Sequence, residues 1–226
     1  MLAQQELKNI DRLNFLADSL SEKQTDSALM FANKAVQLSK NINYKKGIAE
    51  SSNNIAVCQD IKGNSVEAIK QFITTIKLFE GLKDTNKIAQ CYSQMGISYF
   101  FQYQYDNAQL YYQKAINLYL KTKNKKELAG VLINQGIVYT YINKYNEAEE
   151  SFLKSNVVAA AMGYKELLRT NYAGLSEVAS AKGDYKKALD YFQKASDLKD
   201  SIYKTESSKQ IEELSARYET AEKEKQ

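Results

Sequence analysis

The 226-residue chain has no proline and no histidine, only two cysteines, and no apolar run approaching twenty residues. Proline breaks helix interiors, so its absence points to a chain made almost wholly of helix and short turns. Without histidine there can be no histidine-based triad or general base, and almost none of the usual zinc or non-haem iron sites. Nothing in the sequence is long and apolar enough to span a membrane. The start, "MLAQQELKNI", lacks the basic opening and apolar core of a signal peptide. A cytosolic protein, or a fragment whose leader has been removed, is therefore expected. Two cysteines are too few for a disulfide framework. No Gly-rich phosphate loop, no Ser or Cys paired with a base and no metal-ligand cluster is present, so the reading is of no enzyme, no metal and no cofactor. Thirty-one basic residues against 27 acidic ones leave a net charge of +4, too mild a bias to mark a nucleic-acid binder.

What is present is repetition. "GDYKKALDYFQKA" at 183–195 follows "NKYNEAEESFLKS" at 143–155 and "YQYDNAQLYYQKA" at 103–115, forty residues apart each time. Ala28, Ala68, Ala108, Ala148 and Ala188 hold one register. Four residues later stand Ala32, Phe72, Tyr112, Phe152 and Phe192; seven later stand the small residues Ala35, Thr75, Ala115, Ser155 and Ala195. Tyr105, Tyr145 and Tyr185 precede the alanine by three. Twelve residues before it come Leu16, Ala56, Gly96, Gly136 and Ser176.

Offsets of three, four and seven fall on one helical face, so alanine lets a second helix approach while the aromatic fills the space beside the contact. Each unit reads as two helices, A then B. "IAQCYSQMGISYFFQ" is an A helix and "YDNAQLYYQKAINLYLK" its B helix. Gly63 and Gly183 sit where the A helix should stop, and Asn64 and Asp184 where the next helix needs its cap. On this placement Cys58 lies seven residues further along its A helix than Cys91 does along the next. That is about 10 Å of rise, too far for a disulfide. Both thiols should be unpaired and buried, and the tyrosines of the framework are assigned to packing.

This pattern resembles the tetratricopeptide repeat family: a small residue in helix A, tyrosine near the turn, alanine–aromatic–alanine in helix B. The resemblance covers roughly residues 9 to 208. It departs from the family in a forty-residue period and in lacking the proline after helix B. The implied fold is all-α, a right-handed superhelical solenoid of five helix-turn-helix units over residues 1–200, closed by a longer C-terminal helix at 201–226. By the same resemblance the A helices line a concave groove that takes a protein or peptide partner. The groove candidates are the amides Asn14, Asn54, Gln94 and Asn134, a ladder broken by Gly174. Beside them runs an apolar strip of Val57, Ile97 and Ile137, with Phe101 and Tyr141 exposed. Amides carry donors and acceptors and can follow an extended backbone without demanding a sequence; wet groove lining is the plainer reading of the same residues.

The last 26 residues lose the alanine framework. Ile211, Leu214, Tyr218 and Ala221 step by three, four and three, a seam of about two heptads fit for dimerising the C-terminal helix. "SKQIEELSARYETAEKEKQ" resembles the segment that closes the repeat array in bacterial membrane-anchored sensors, ahead of a histidine-kinase or helix-turn-helix output. That resemblance implies the input domain of a periplasmic sensor. The alternatives are a scaffold assembling protein partners, and a cytoplasmic regulator of a DNA-binding protein.

Overall fold

The computed structural model describes residues 2–224, and the side chains of 4–216 within them. Among the described residues the chain forms ten α-helices. They are α1 (Leu2–Leu20), α2 (Thr25–Asn41), α3 (Lys45–Ile61), α4 (Ser65–Gly81), α5 (Thr85–Phe101), α6 (Tyr105–Thr122), α7 (Lys125–Tyr141), α8 (Tyr145–Met162), α9 (Lys165–Ala181) and α10 (Tyr185–Glu224). Odd-numbered helices are the A helices and even-numbered ones the B helices of five units. The fold is all-α, as expected.

The connections explain why helices of such even length form. Left-handed backbone occurs at Asn43, Gly63, Lys83, Tyr103, Lys123, Asn143, Gly163 and Gly183, one residue in every twenty. A residue at positive φ ends a helix by turning its last carbonyls onto the following amides. Thus Asn64 N–H donates to the Gln59 carbonyl and Asp184 N–H to that of Ala179, both at 2.9 Å. Asp84 and Asp184 then cap the next helix, accepting from the amides of Lys87 (3.0 Å) and Lys187 (3.1 Å). Asn64 makes no such bond; its amide donates instead to the Gln59 side chain. The expected cap is right at 184 and wrong at 64.

The longer C-terminal helix is not a separate element. The twenty-residue rhythm places the next left-handed turn at residue 203, and there the chain stays helical. α10 therefore runs for 40 residues, fusing the fifth B helix to the segment expected as a distinct tail. The boundary drawn at 200 falls inside it.

The chain divides into two compact units, Met1–Val138 and Tyr139–Gln226. In the first, Ala68, Ala108, Ala35 and Ala115 are fully buried, and Phe72 and Tyr112 fill the spaces between helices. A Cβ on Gly96 would stand 2.4 Å from the Tyr112 ring, so the small position of the A helix is the seat of the B-helix aromatic. Cys58 and Cys91 are buried and free. Burial pushes the Cys91 thiol up to about 12, and its Sγ donates to Asn53 Oδ1 at 3.3 Å, tying α5 to α3.

In the second unit Phe152 on α8 rests on Gly174 of α9, where a Cβ would come within 2.5 Å of the ring. That close approach is why the amide ladder breaks at Gly174: no side chain fits. Phe152 lies eleven residues before Gly163 and Gly174 eleven after it. Ser155 and Asn171, eight before and eight after, are joined by a hydrogen bond of 3.0 Å. Phe192 and Tyr185 correct the packing expectation. They are 63% and 72% exposed, because α10 runs on as helix through residue 203 instead of turning back, so no described helix lies over them as α9 lies over Phe152.

Glu149 on α8 accepts from Lys182 and Lys187, each at 2.7 Å, and is the better shielded partner of both pairs. Those hydrogen bonds hold its carboxyl below the usual glutamate value. A lowered folded pKa means stability that is complete at neutral pH and lost as the pH falls below the ordinary value, about 4.3, through the folded one. Glu149→Gln is expected to cost about 1 kcal/mol at pH 7. Urea titrations should find variant and parent converging in acid.

Candidate functional site

In the first unit α1 packs on α3, and α3 touches α5, so the A helices lie side by side and share a face. Two clefts open on it. One, of about 270 Å³, is lined by Asp11, Asn14, Phe15, Asp18, Lys46, Glu50, Asn53, Asn54 and Lys87. The other, of about 440 Å³, is lined by Asp18, Val57, Ile61, Gln90, Gln94, Ile97 and Phe101, among others. Asp18 borders both, so they are continuous along α1.

Six of the nine groove candidates therefore come together: Asn14 and Asn54 in the first cleft, Val57, Gln94, Ile97 and Phe101 in the second. The other three lie on α7 and line neither cleft. Asn134 and Ile137 are half-buried, and Tyr141 is exposed but belongs to the second unit. Exposure of Phe101 and Tyr141 is as expected, at 68% and 59%. Of the tail seam, Ile211 and Leu214 are exposed; Tyr218 and Ala221 lie outside the residues whose side chains are described.

The amides correct the picture of a freely presented ladder. Asn14 and Asn54 are buried, and their amide groups bind neighbouring A helices. Asn54 Nδ2 donates to the Asn14 carbonyl at 3.0 Å, and Asn14 Nδ2 to the Gly47 carbonyl at 3.4 Å. Donation to a carbonyl fixes which end of the Asn14 amide faces Gly47, and so leaves Oδ1 on the other side. That oxygen is buried with no hydrogen-bond partner. An enclosed acceptor left unmet costs on the order of 1–3 kcal/mol, and its burial keeps it out of reach of a molecule lying in the cleft.

The charges of the first cleft escaped sequence reasoning. Asp11 accepts from the Tyr44 hydroxyl at 3.0 Å; burial, then this carboxylate, push the tyrosine up to about 12. Glu50 lies 3.7 Å from Lys46. Burial raises its carboxyl, with Lys46 and Lys87 opposing. These residues come from three repeats at positions that share no letter, so periodicity carries no trace of them. Phe15 was missed for another reason. Its counterparts Met95 and Leu175 are buried, whereas Phe15, on the first A helix, is 68% exposed at the cleft. Clefts of this make-up have acceptors, donors and apolar surface but no nucleophile paired with a base. Among the described residues no group of three metal-ligating side chains comes together, and no helix is long and apolar enough to cross a membrane.

Comparisons with known proteins agree with this geometry. The tetratricopeptide repeat family is matched twice, over residues 88–122 and 170–201. No curated protein matches the chain. Among solved structures, the chain is similar to BtubC (BKLC) from P. vanneervenii, with TM-score 0.72 and 16% identity over 86% of this chain and 81% of that one. It is also similar to the nearly identical TPR-like repeats of a Podosopora anserina protein of kinesin-light-chain type, with TM-score 0.66 and 13% identity over 86% and 96%. A third is a Rap protein complexed with competence and sporulation factor, with TM-score 0.63 and 15% identity over 86% and 66%. At these identities the likeness is one of fold.

Proposed function

Since the chain is a tetratricopeptide-repeat protein, we propose that the face shared by α1, α3 and α5 binds an extended peptide or protein segment, without catalysis. The observation that carries this reading is the joining of two kinds of surface in one groove. Beside the polar and charged residues of the first cleft lies an apolar strip of Val57, Ile97 and Phe101. A peptide N–H meets the first and alternate side chains meet the second, which is how extended chains are read. The flanking Asp11, Asp18, Glu50, Lys46 and Lys87 add charge that selects among sequences.

A finer reading follows. The chain is the input domain of a bacterial signalling protein, in the periplasm, with α10 as the dimerising output rod. Its support is the likeness of the tail to sensor linkers and the length of α10. A scaffold and a cytoplasmic regulator are the alternatives; protease accessibility of the full-length protein in spheroplasts separates periplasm from cytoplasm.

The groove is tested with dodecapeptides selected from a random display library on the 226-residue chain. Phe101 is exposed, so Phe101→Ser should leave the thermal midpoint within about 2 °C of the parent. It should weaken selected peptides about tenfold, a loss of roughly 1.4 kcal/mol. Peptides that bind parent and variant alike would place the site elsewhere.

A further inference from the structure

α10 carries an apolar stripe that nothing in its own unit covers. Phe192, Tyr203 and Leu214 are 63%, 72% and 69% exposed and stand eleven residues apart. Eleven residues are close to three turns, so the three lie almost on one line along the helix. Tyr185 and Leu189, also exposed, extend the line toward the helix start. We propose that this stripe is the interface of a homodimer, in which α10 of a second copy lies antiparallel with the two Tyr203 residues facing each other on the two-fold axis.

The register comes from the repeat itself. Wherever a B helix is followed by an A helix, the two pair antiparallel about a left-handed residue. About Gly163 the pairs are Phe152 with Gly174 and Ser155 with Asn171. Carried forty residues on, the centre is Tyr203, and the pair that keeps to the stripe of the continuous helix is Phe192 with Leu214. Both are apolar. The segment after Tyr203 thus holds the partner that the segment before it lacks.

The same chain cannot bring them together as it does elsewhere. α10 is continuous through residue 203, so its second half points away from its first. Nor does the residue opposite Phe192 permit the usual close seat. At Gly174 even a Cβ would come within 2.5 Å of the Phe152 ring, and Leu214 is far larger. A second copy meets neither obstacle. It needs no turn, and it can stand off at the 8–10 Å of ordinary helix packing. An antiparallel pair uses each half twice, Phe192 against Leu214 of the second copy and Leu214 against its Phe192, as an isologous interface requires.

Charge complements the antiparallel pairing. Lys199 and Glu206 flank Tyr203 on the same side of the helix. Antiparallel pairing about Tyr203 sets Lys199 beside Glu206 of the second copy. Of the heptad seam of Ile211, Leu214, Tyr218 and Ala221, this interface uses Leu214. This interface is independent of what the A-helix groove binds; because it points the two C-terminal ends in opposite directions, it stands in place of α10 as a shared output rod.

Sedimentation equilibrium of the 226-residue chain, from micromolar to submillimolar concentration, is expected to give a dimer. Phe192→Asp with Leu214→Asp should raise the dissociation constant at least about a hundredfold while the far-ultraviolet circular dichroism keeps its helical form. Direction is read by oxidation. Cys58 and Cys91 are fully buried, so added thiols report alone. Tyr203→Cys should link to itself, and Phe192→Cys should link only when mixed with Leu214→Cys. A parent that stays monomeric throughout overturns the proposal, and so does self-linking of Phe192→Cys as readily as Tyr203→Cys.

Discussion

Phe152→Ala is expected to cost about 3–5 kcal/mol, the range for emptying a buried aromatic site. The register-equivalent Phe192→Ala should change stability by less than about 0.5 kcal/mol, in solution dilute enough that α10 is unpaired. The letters are the same and the helix faces are the same. What differs is that the Phe152 ring is enclosed against Gly174, whereas Phe192 has no A helix above it. A cavity opens at 152 because α9 cannot follow the backbone inward without dragging its bond from Asn171 to Ser155. At 192 water already occupies the place. Urea unfolding monitored by circular dichroism reads both; a loss above about 2 kcal/mol for Phe192→Ala would mean that its ring is covered within the monomer.

Two glycines should respond to alanine with opposite signs. In a helix interior, glycine to alanine gains roughly 1 kcal/mol from propensity. At Gly130 on α7 nothing lies within 4 Å of an added Cβ, so that gain is realised. At Gly96 on α5 the added carbon would meet Tyr112 ring atoms at 2.4 and 2.6 Å. The Tyr112 side chain is 2% exposed and has no room to withdraw. Overpacking of a well-filled core costs about 1–3 kcal/mol, so Gly96→Ala should be destabilised by up to about 2 kcal/mol net, and Gly96→Val by more. Thermal melts of the two alanine variants should move in opposite directions from the parent. Movement of both upward would show that Tyr112 relaxes.

These contrasts also show what was legible in the sequence. Register, helix pairing and the burial of Phe72, Tyr112 and Phe152 could be read because each repeat is packed by a neighbour with the same pattern. Repetition says nothing about where the neighbours run out. Phe15 on α1 and Phe192 on α10 occupy core letters and are exposed because no described helix lies over them. The continuity of α10 was hidden by the turns themselves. Lys83, Tyr103 and Lys123 turn left-handed without a glycine or asparagine to announce it, so Tyr203 looked no different from Tyr103. Local preference is weak at these sites, and the packing of the following A helix decides whether the chain turns. In the groove, the apolar strip was legible from its offset to the small position. The burial of Asn14 and Asn54 was not, because one amide serves equally well to clasp a peptide or an adjacent helix.

The left-handed residues recur every twenty positions, not merely every forty, and this bears on how such a chain lengthens. Both kinds of corner, within a unit and between units, have one geometry and equal arms on either side. Any two corners forty residues apart are interchangeable as splice points, so duplication or loss of the stretch between them rejoins an A helix to its own kind of B helix. Neither event calls for a new corner. A genome can therefore add or remove single storeys by unequal crossing-over, and selection needs to rework only the residues left at the two ends.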